Sequence, residues 1–387
     1  MGVLKRLRQA GLAAGIVFQA AVCAATADTL STSADIAILT NPQSGTTLYA
    51  KEADTPFAPG SLAKVMTAAV VFEALNQVEV SSDQNCTVSE HAWRTGGAPS
   101  RGATMFAAIK SDIPVEDLLR GLLIHNANDA AIILGECLSG TEAGFAARMT
   151  AFGETIGMTA TRFMNPTGYE MEGAQTTARD LSVLASYILK SHPDRYALFS
   201  EPEFTWNNIF QRNKNPLIGE IRNLDGLGAG QSEQDGFAGL ASVERNGLRV
   251  VAVVAGLPSV NARLKAMREV IEGAWDFFTI QTLYQKGDVV AEASVFGGEH
   301  GTVPLIAAQN VDVLLPRGGT LDYRLRVVYD GPLEAPVSKG MPAGELRVVG
   351  QDGVVHTSAL QTGAAVQRGS LQARAIDGLA ELLFGWL

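Results

Sequence analysis

The strongest constraint on the fold lies between residues 61 and 75, SLAKVMTAAVVFEAL, a run with no glycine or proline after Gly60 and a heavy load of alanine, valine and leucine. A helix built from it is apolar around nearly its whole circumference, so other elements must enclose it on all sides. At 387 residues, 47% hydrophobic and 18% charged, the chain has enough apolar material to do so, and its length predicts two domains. The same balance excludes intrinsic disorder, collagen and long coiled coil. Two charged residues interrupt the apolar pattern, Glu73 near its end and Lys64 one turn from its start.

Around this segment the pattern alternates between strand and helix. IAILT at 36 to 40 and TTLYA at 46 to 50 flank the turn residues NPQSG and predict a hairpin. Pro114, followed by Glu116 and Asp117, opens a helix to about residue 124; after the polar break HNAN a second begins over 128 to 138. Further helices are expected at about 141 to 156 and 178 to 190. FAGLASVE and LRVVAVVAG, joined by Arg245-Asn246-Gly247, predict another hairpin, and residues 261 to 279 a helix ending in Trp275, Phe277 and Phe278. After about residue 280, short Val/Leu-rich runs punctuated by glycine and proline predict a small all-β domain without clustered titratable side chains.

Both ends carry signals of their own. The first 27 residues have a basic start, an apolar run over about 9 to 22, and Ala25-Thr26-Ala27 before Asp28, which reads as a cleavable export signal. The tail places Leu371, Ala375, Leu379, Leu382, Leu383 and Trp386 at helical spacing, which predicts an amphipathic helix lying in a membrane interface; packing on the β domain is the other reading. Its charges nearly cancel, so attachment rests on apolar burial.

Composition removes several function classes. The formal charge is −10, and it becomes more negative once Lys5, Arg6 and Arg8 leave with the first 27 residues, so nucleic acid is excluded as a partner. His91, His125, His192, His300 and His356 are dispersed without metal-ligand spacing, and no phosphate-binding loop or dinucleotide fingerprint is present, so neither metal nor cofactor is expected. His125 reads as a loop or core histidine. Cys86 and Cys137 remain after processing, either bridged or as two buried thiols.

Chemistry is concentrated in Pro59-Gly60-Ser61-Leu62-Ala63-Lys64. Residues three apart share a helix face, about 5 to 6 Å between Cβ atoms. A serine hydroxyl is a weak nucleophile without a neighbouring base. Lysine serves as one only where burial lowers its pKa, and the apolar helix around Lys64 supplies that burial. A helix N-terminus also favours negative charge on an attacked carbonyl oxygen.

Through PGSLAK, HAWRTGGAPSRGATMF, LLIHNANDAA, MNPTGYE, TTARDLSVLA and LDGLGAG with GFAGLASVERNGLRVVAVVAG behind it, the chain resembles the low-molecular-mass penicillin-binding proteins, serine D-alanyl-D-alanine carboxypeptidases of the bacterial envelope. The resemblance implies an α/β (α+β) β-lactamase/transpeptidase-like domain with a central antiparallel sheet over 28 to 279. A small all-β domain over 280 to 366 and a membrane-associating amphipathic helix over 367 to 387 would follow. It implies Ser61 as nucleophile, Lys64 as general base and Asn128 as the asparagine that bonds substrate and lysine. Gly230 would let substrate backbone lie against its strand, and the backbone N–H groups of Ser61 and Gln231 would form the oxyanion hole. Peptidoglycan stem peptide would be the substrate, β-lactams acylating ligands, and the location periplasmic, peripheral on the inner membrane.

Two motifs depart from the family. Asn126-Ala127-Asn128 replaces S-x-N, and an amide cannot relay a proton as a hydroxyl does. Gly228-Ala229-Gly230 replaces K-T-G, removing a cation and a hydroxyl that grip the substrate carboxylate. Lys214 and Arg222 lie upstream and read as surface charges, with a substitute cation as the functional alternative. Two functions therefore stand: a D-Ala-D-Ala carboxypeptidase, or a peptidoglycan- or penicillin-binding regulatory relative with little turnover.

Overall fold

The computed structural model describes residues 30–317, 323–350 and 353–370. The expected export signal and residues 371–387, most of the expected tail helix, lie outside the described residues.

The first domain is organised on a five-stranded, wholly antiparallel sheet. Its strands run in the order Thr47–Lys51, Ile36–Thr40, Leu248–Leu257, Gly236–Arg245, Leu224–Ser232. Side chains alternate across it: Ile36, Ile38, Val251, Val253 and Ala255 face one cluster, and Ala37, Leu39, Val250, Ala252 and Val254 face another. Both faces are covered, which is why LRVVAVVAG reads as one continuous apolar run. The Ala178–Ser191 helix packs on the first face, and the Ala63–Asn76 helix, in the same cluster and against the other helices, is buried at nearly every position. The Val260–Asp276 helix covers the second through Ala266, Met267, Val270 and Ile271.

Local chemistry sets where the enclosing helices begin. Ser89, Thr141, Thr177 and Ser259 each accept a hydrogen bond from the backbone N–H three residues on, satisfying a donor that has no partner within its helix. Helix Val115–Ile124 follows Pro114 directly, with Glu116 and Asp117 in the first turn. The next helix, Asn128–Ser139, ends at Gly140 in the left-handed region.

The expectation for residues 261 to 279 is corrected at its end. The helix stops at Asp276, and Phe278 already pairs with Pro316 in the strand Phe278–Tyr284. The aromatic cluster is used elsewhere: Trp275 lies under the Arg245 guanidinium at 4.5 Å, while the Phe277 carbonyl accepts from Arg317 N–H. Beyond it stands the all-β domain, a six-stranded sheet and the Phe278–Tyr284/Val311–Pro316 pair around Val303, Leu305, Val311, Leu346, Val348 and Leu360. Residues 367–370, expected to begin the tail helix, are extended against this domain: Gln367 O accepts from Glu299 N–H and Gly369 N–H donates to Gly297 O.

The two cysteines form a disulfide, Cys86–Cys137, with Cα atoms 5.6 Å apart. It ties the short strand Asn85–Thr87 to the last turns of the helix that starts at Asn128. With its ends 51 positions apart in sequence, the loop-entropy relation gives about 4 kcal/mol of stabilisation. Urea unfolding under reducing conditions, and of Cys137→Ser, is expected to show the same loss of about that size; an unaltered midpoint would count against the crosslink.

Candidate active site

Ser61 occupies the 3-10 turn Gly60–Leu62 that leads into the buried helix, and Lys64 lies one turn further in. Lys64 is 3% exposed; its Nζ is 3.3 Å from Ser61 Oγ and donates to the Thr167 carbonyl at 2.9 Å. Among the described residues no carboxylate offsets this burial, and desolvation pushes the ammonium down to about 7. The sequence expectation that Lys64 is sequestered beside Ser61 is met in the geometry.

The loop at 165–169 closes over this pair. Asn165 Oδ1 accepts from Thr167 Oγ1, Gly168 N–H and Tyr169 N–H, and its Nδ2 donates to Tyr169 O. The loop thus carries its own internal frame, which N-P-T-G announces as turn chemistry. It docks on the helix through Thr67 Oγ1, which donates to Pro166 O at 2.8 Å, and through Lys64 on Thr167 O. Gly168, at φ +78°, passes so close that a Cβ there would fall 1.7 Å from Gly60 O.

A second wall comes from strand Leu224–Ser232. Its backbone at Gln231 lies against Gly60, where a Cβ would be 2.5 Å from Gln231 O, and a Cβ on Gly230 would be 2.7 Å from Pro59 O. Gly230 is therefore demanded by contact with the Ser61 turn. Gly228 is not: a Cβ there meets only Leu62 and Val65 methyls at 3.7 Å, an ordinary contact.

The third wall is the Asn126–Asn128 break. Asn126 adopts φ +56°, and Asn128 N–H donates to Ala103 O at 2.8 Å at the start of its helix. Asn128 is buried beside Gly102 and the Tyr169 phenol; the partners of Lys64 are Ser61 and Thr167, and no bond to Asn128 joins them among the described residues. Next to it the buried Asp129 carboxylate accepts from Thr104 Oγ1, Met105 N–H and Ala107 N–H, fixing the 104–107 segment to this helix.

Ser61, Lys64, Asn126, Gly228, Ala229 and Lys214 line one small cavity of about 40 Å³. Lys214, read from sequence as a surface charge, is solvent-exposed and yet belongs to the cleft. Arg222 is exposed; its carbonyl accepts from Arg245, the arginine that also holds Glu272. His125 is half-buried with Nδ1 3.3 Å from Arg212 O, and burial, followed by the Lys214 charge, holds its pKa below the usual histidine value.

Three contributors escaped the sequence reading. Thr167 acts through its carbonyl, which no side-chain pattern reveals, and Asp129 is one acid in a helical first turn. Arg263 is the third: buried, over the Phe237 ring at 5.6 Å, one Nη 3.4 Å from Gly230 O, and its Nε without an acceptor among the described residues. Desolvation lowers its pKa from the ordinary arginine value.

Residues 22–259 match the family profile described as D-alanyl-D-alanine carboxypeptidase. The chain belongs to that family. Residues 278–368 match the C-terminal domain of penicillin-binding protein 5. The D-alanyl-D-alanine carboxypeptidase DacA of Haemophilus influenzae is 31% identical over 80% of this chain and 79% of its own length. The crystal structure of penicillin-binding protein 5 from Haemophilus influenzae superposes with a TM-score of 0.74 at 28% identity, covering 87% of this chain and 98% of that one. Penicillin-binding protein D2 of Listeria monocytogenes, solved in a cefotaxime-bound form, reaches 0.55 at 29% identity, covering 64% of this chain and all of that one.

In this carboxypeptidase-family site the buried amine has a measurable consequence. The folded pKa of Lys64 is about 7, and that of an unfolded lysine about 10.4, so between these values the unfolded chain binds more protons. Stability is therefore lost as pH falls from about 10.4 to 7 and is level below that, a change of roughly 5 kcal/mol for this one group. Lys64→Met is expected to remove that slope and to be the more stable protein at pH 7, as read by urea unfolding of both proteins across this range.

Proposed function

We propose that the protein is a serine-type D-Ala-D-Ala carboxypeptidase that removes the terminal D-alanine of peptidoglycan stem peptides through an acyl-serine. The observation that carries this reading is the Lys64 amine, buried, near pKa 7 and 3.3 Å from Ser61 Oγ. Neutral Lys64 takes the Ser61 proton as Oγ attacks the carbonyl carbon of the penultimate residue. The Ser61 and Gln231 N–H groups hold the oxyanion; as backbone donors they do not depend on the altered motif side chains. Collapse expels the D-alanine amine, which takes the proton back from Lys64. Water then attacks the ester carbonyl as Lys64 accepts its proton, and on collapse Lys64 passes that proton to the departing Ser61 Oγ, releasing the shortened peptide and restoring both groups.

Asn126 cannot relay a proton, so Lys64 alone must deliver one to the leaving amine. Losing two charge-assisted contacts at roughly 1.5 to 3 kcal/mol each corresponds to about 10² to 10⁴ in rate. The protein is on this reading slow with its usual substrate, not inert. We also assign it to an oxidising compartment outside the cytoplasm, supported by the Cys86–Cys137 disulfide and the signal-like first 27 residues. Residues 371–387 would serve as an interfacial anchor; among the described residues no helix is long and apolar enough to cross a membrane.

A fluorescent penicillin should label wild type with a rate that climbs through pH 7 as Lys64 loses its proton, and should not label Ser61→Ala. D-Alanine release from a pentapeptide should accompany labelling. An adduct without release assigns a binding role instead, and neither adduct nor release removes the enzyme reading. Because Gly228 has room for a side chain, Gly228→Lys is expected to raise the release rate by roughly tenfold or more.

A further inference from the structure

One side chain spans from the Lys64 loop to the Asn128 wall. Tyr169 follows Gly168, the residue pressed on the Ser61 turn, and its backbone belongs to the loop that orients Lys64. Its N–H donates to Asn165 Oδ1 and Thr167 Oγ1, both at 3.1 Å, and its carbonyl accepts from Asn165 Nδ2 at 2.8 Å. From that frame the ring reaches across to the helix Glu90–Thr95, where the phenol donates to Thr95 O at 3.0 Å. As the last carbonyl of that helix, Thr95 O has no partner within it, and the phenol supplies one.

Three polar atoms converge where the phenol lands. A Cβ on Gly102 would be 2.8 Å from Asn128 Nδ2, 3.4 Å from Ser100 Oγ and 3.5 Å from the Tyr169 phenol oxygen. Ser100 is already committed, its Oγ donating to Gly97 O at 2.7 Å. Asn128 is buried, its backbone N–H is taken by Ala103 O, and its side-chain amide hydrogen-bonds the phenol. A phenol oxygen donates to one partner and accepts from another at once, so with its proton on Thr95 O it turns a lone pair to Asn128 Nδ2. Burial holds the phenol above the ordinary tyrosine pKa, and it therefore keeps that proton throughout the range in which Lys64 titrates.

Resting on the carboxypeptidase reading above, we propose that Tyr169 is a positioning residue for the reaction: its phenol, anchored on Thr95 O, fixes the Asn128 amide and leaves the other end of that amide for the substrate. One residue thus sets two walls of the cleft, the Lys64 loop through its backbone and Asn128 through its side chain. Without the phenol, the amide has to be ordered again each time substrate binds, which costs rotamer entropy at the reacting geometry.

The test is a double-mutant cycle on the full-length protein, read as the rate of acylation by benzylpenicillin and as kcat/KM for D-alanine release from a pentapeptide. Tyr169→Phe keeps the ring and the backbone frame; it is expected to slow both roughly two- to tenfold and to leave the rise through pH 7 at the same midpoint. In Asn128→Ala the same change is expected to have no further effect. Gly102→Ala, which directs a methyl at Asn128 Nδ2 while keeping Tyr169 and Asn128 themselves, should reproduce the loss and likewise make Tyr169→Phe silent. Equal losses from Tyr169→Phe in all three backgrounds mean a general structural role and overturn the proposal. So does an unaltered rate in Tyr169→Phe alone, or a displaced pH midpoint, which would put its action on the Lys64 loop. These outcomes leave the carboxypeptidase reading intact; absence of both adduct and release in wild type removes that reading and this proposal together.

Discussion

An amine whose pKa burial pulls down to about 7, next to a hydroxyl and kept from water, is the condition around which the first domain is arranged. Lysine prefers to be charged and hydrated, and only burial without a compensating carboxylate moves its pKa to about 7. The helix from Ala63 to Asn76 contributes an apolar surround, and the Thr167 carbonyl a neutral acceptor that orients Nζ without returning a countercharge. An acid in place of that carbonyl would raise the pKa again and leave the amine protonated. The carbonyl is available because Asn165 folds its loop onto itself and Thr67 anchors it, so the proton chemistry at position 64 depends on a turn a hundred residues later in the chain.

Three segments distant in sequence meet at the Ser61 turn, and they meet backbone to backbone. Gly168 against Gly60, Gly60 against Gln231, and Gly230 against Pro59 leave no space for a Cβ. This is glycine as a steric requirement, and it distinguishes Gly230 from Gly228, two residues away on the same strand. The first is imposed by the fold; the second is a side chain the fold would accept.

Much of this was legible beforehand. The buried helix, both hairpins and the all-β domain followed from periodicity and turn residues, which are local signals. The pairing of Cys86 with Cys137 was not, because it depends on which strand lies against the end of a helix. The helix end at Asp276 was missed since Trp275, Phe277 and Phe278 continue an apolar pattern while pairing with Pro316 draws Phe278 into a strand. Residues 367–370 were joined to the tail helix read from the apolar spacing that starts at Leu371, but the Gln367 carbonyl and Gly369 N–H are bonded to Glu299 and Gly297. At the site, Ser61 and Lys64 were legible because a charge in an apolar helix needs a reason. Arg263 was hidden, as it sits among Arg and Lys residues of an amphipathic helix where charge is unremarkable, and only its burial under the sheet end sets it apart.

A degraded motif is a weaker statement about function than it looks, because a substrate responds to the field and donors in a cleft and not to the strand that supplies them. At 4 Å a unit charge contributes about 4 kcal/mol at an effective dielectric near 20, whichever residue carries it. Backbone N–H groups are indifferent to side-chain identity, so the oxyanion-hole candidates at Ser61 and Gln231 survive Gly228 and Ala229 unchanged. What a cation on a loop cannot reproduce is rigidity: a lysine on a sheet strand is held by its neighbours on both sides, whereas Lys214 is an exposed side chain on a loop whose backbone N–H bonds to Ile124 O. Ordering that side chain takes up to about 2 kcal/mol of rotamer entropy. A loop cation beside such a cleft therefore keeps most of the attraction for an anion while giving up part of its positioning.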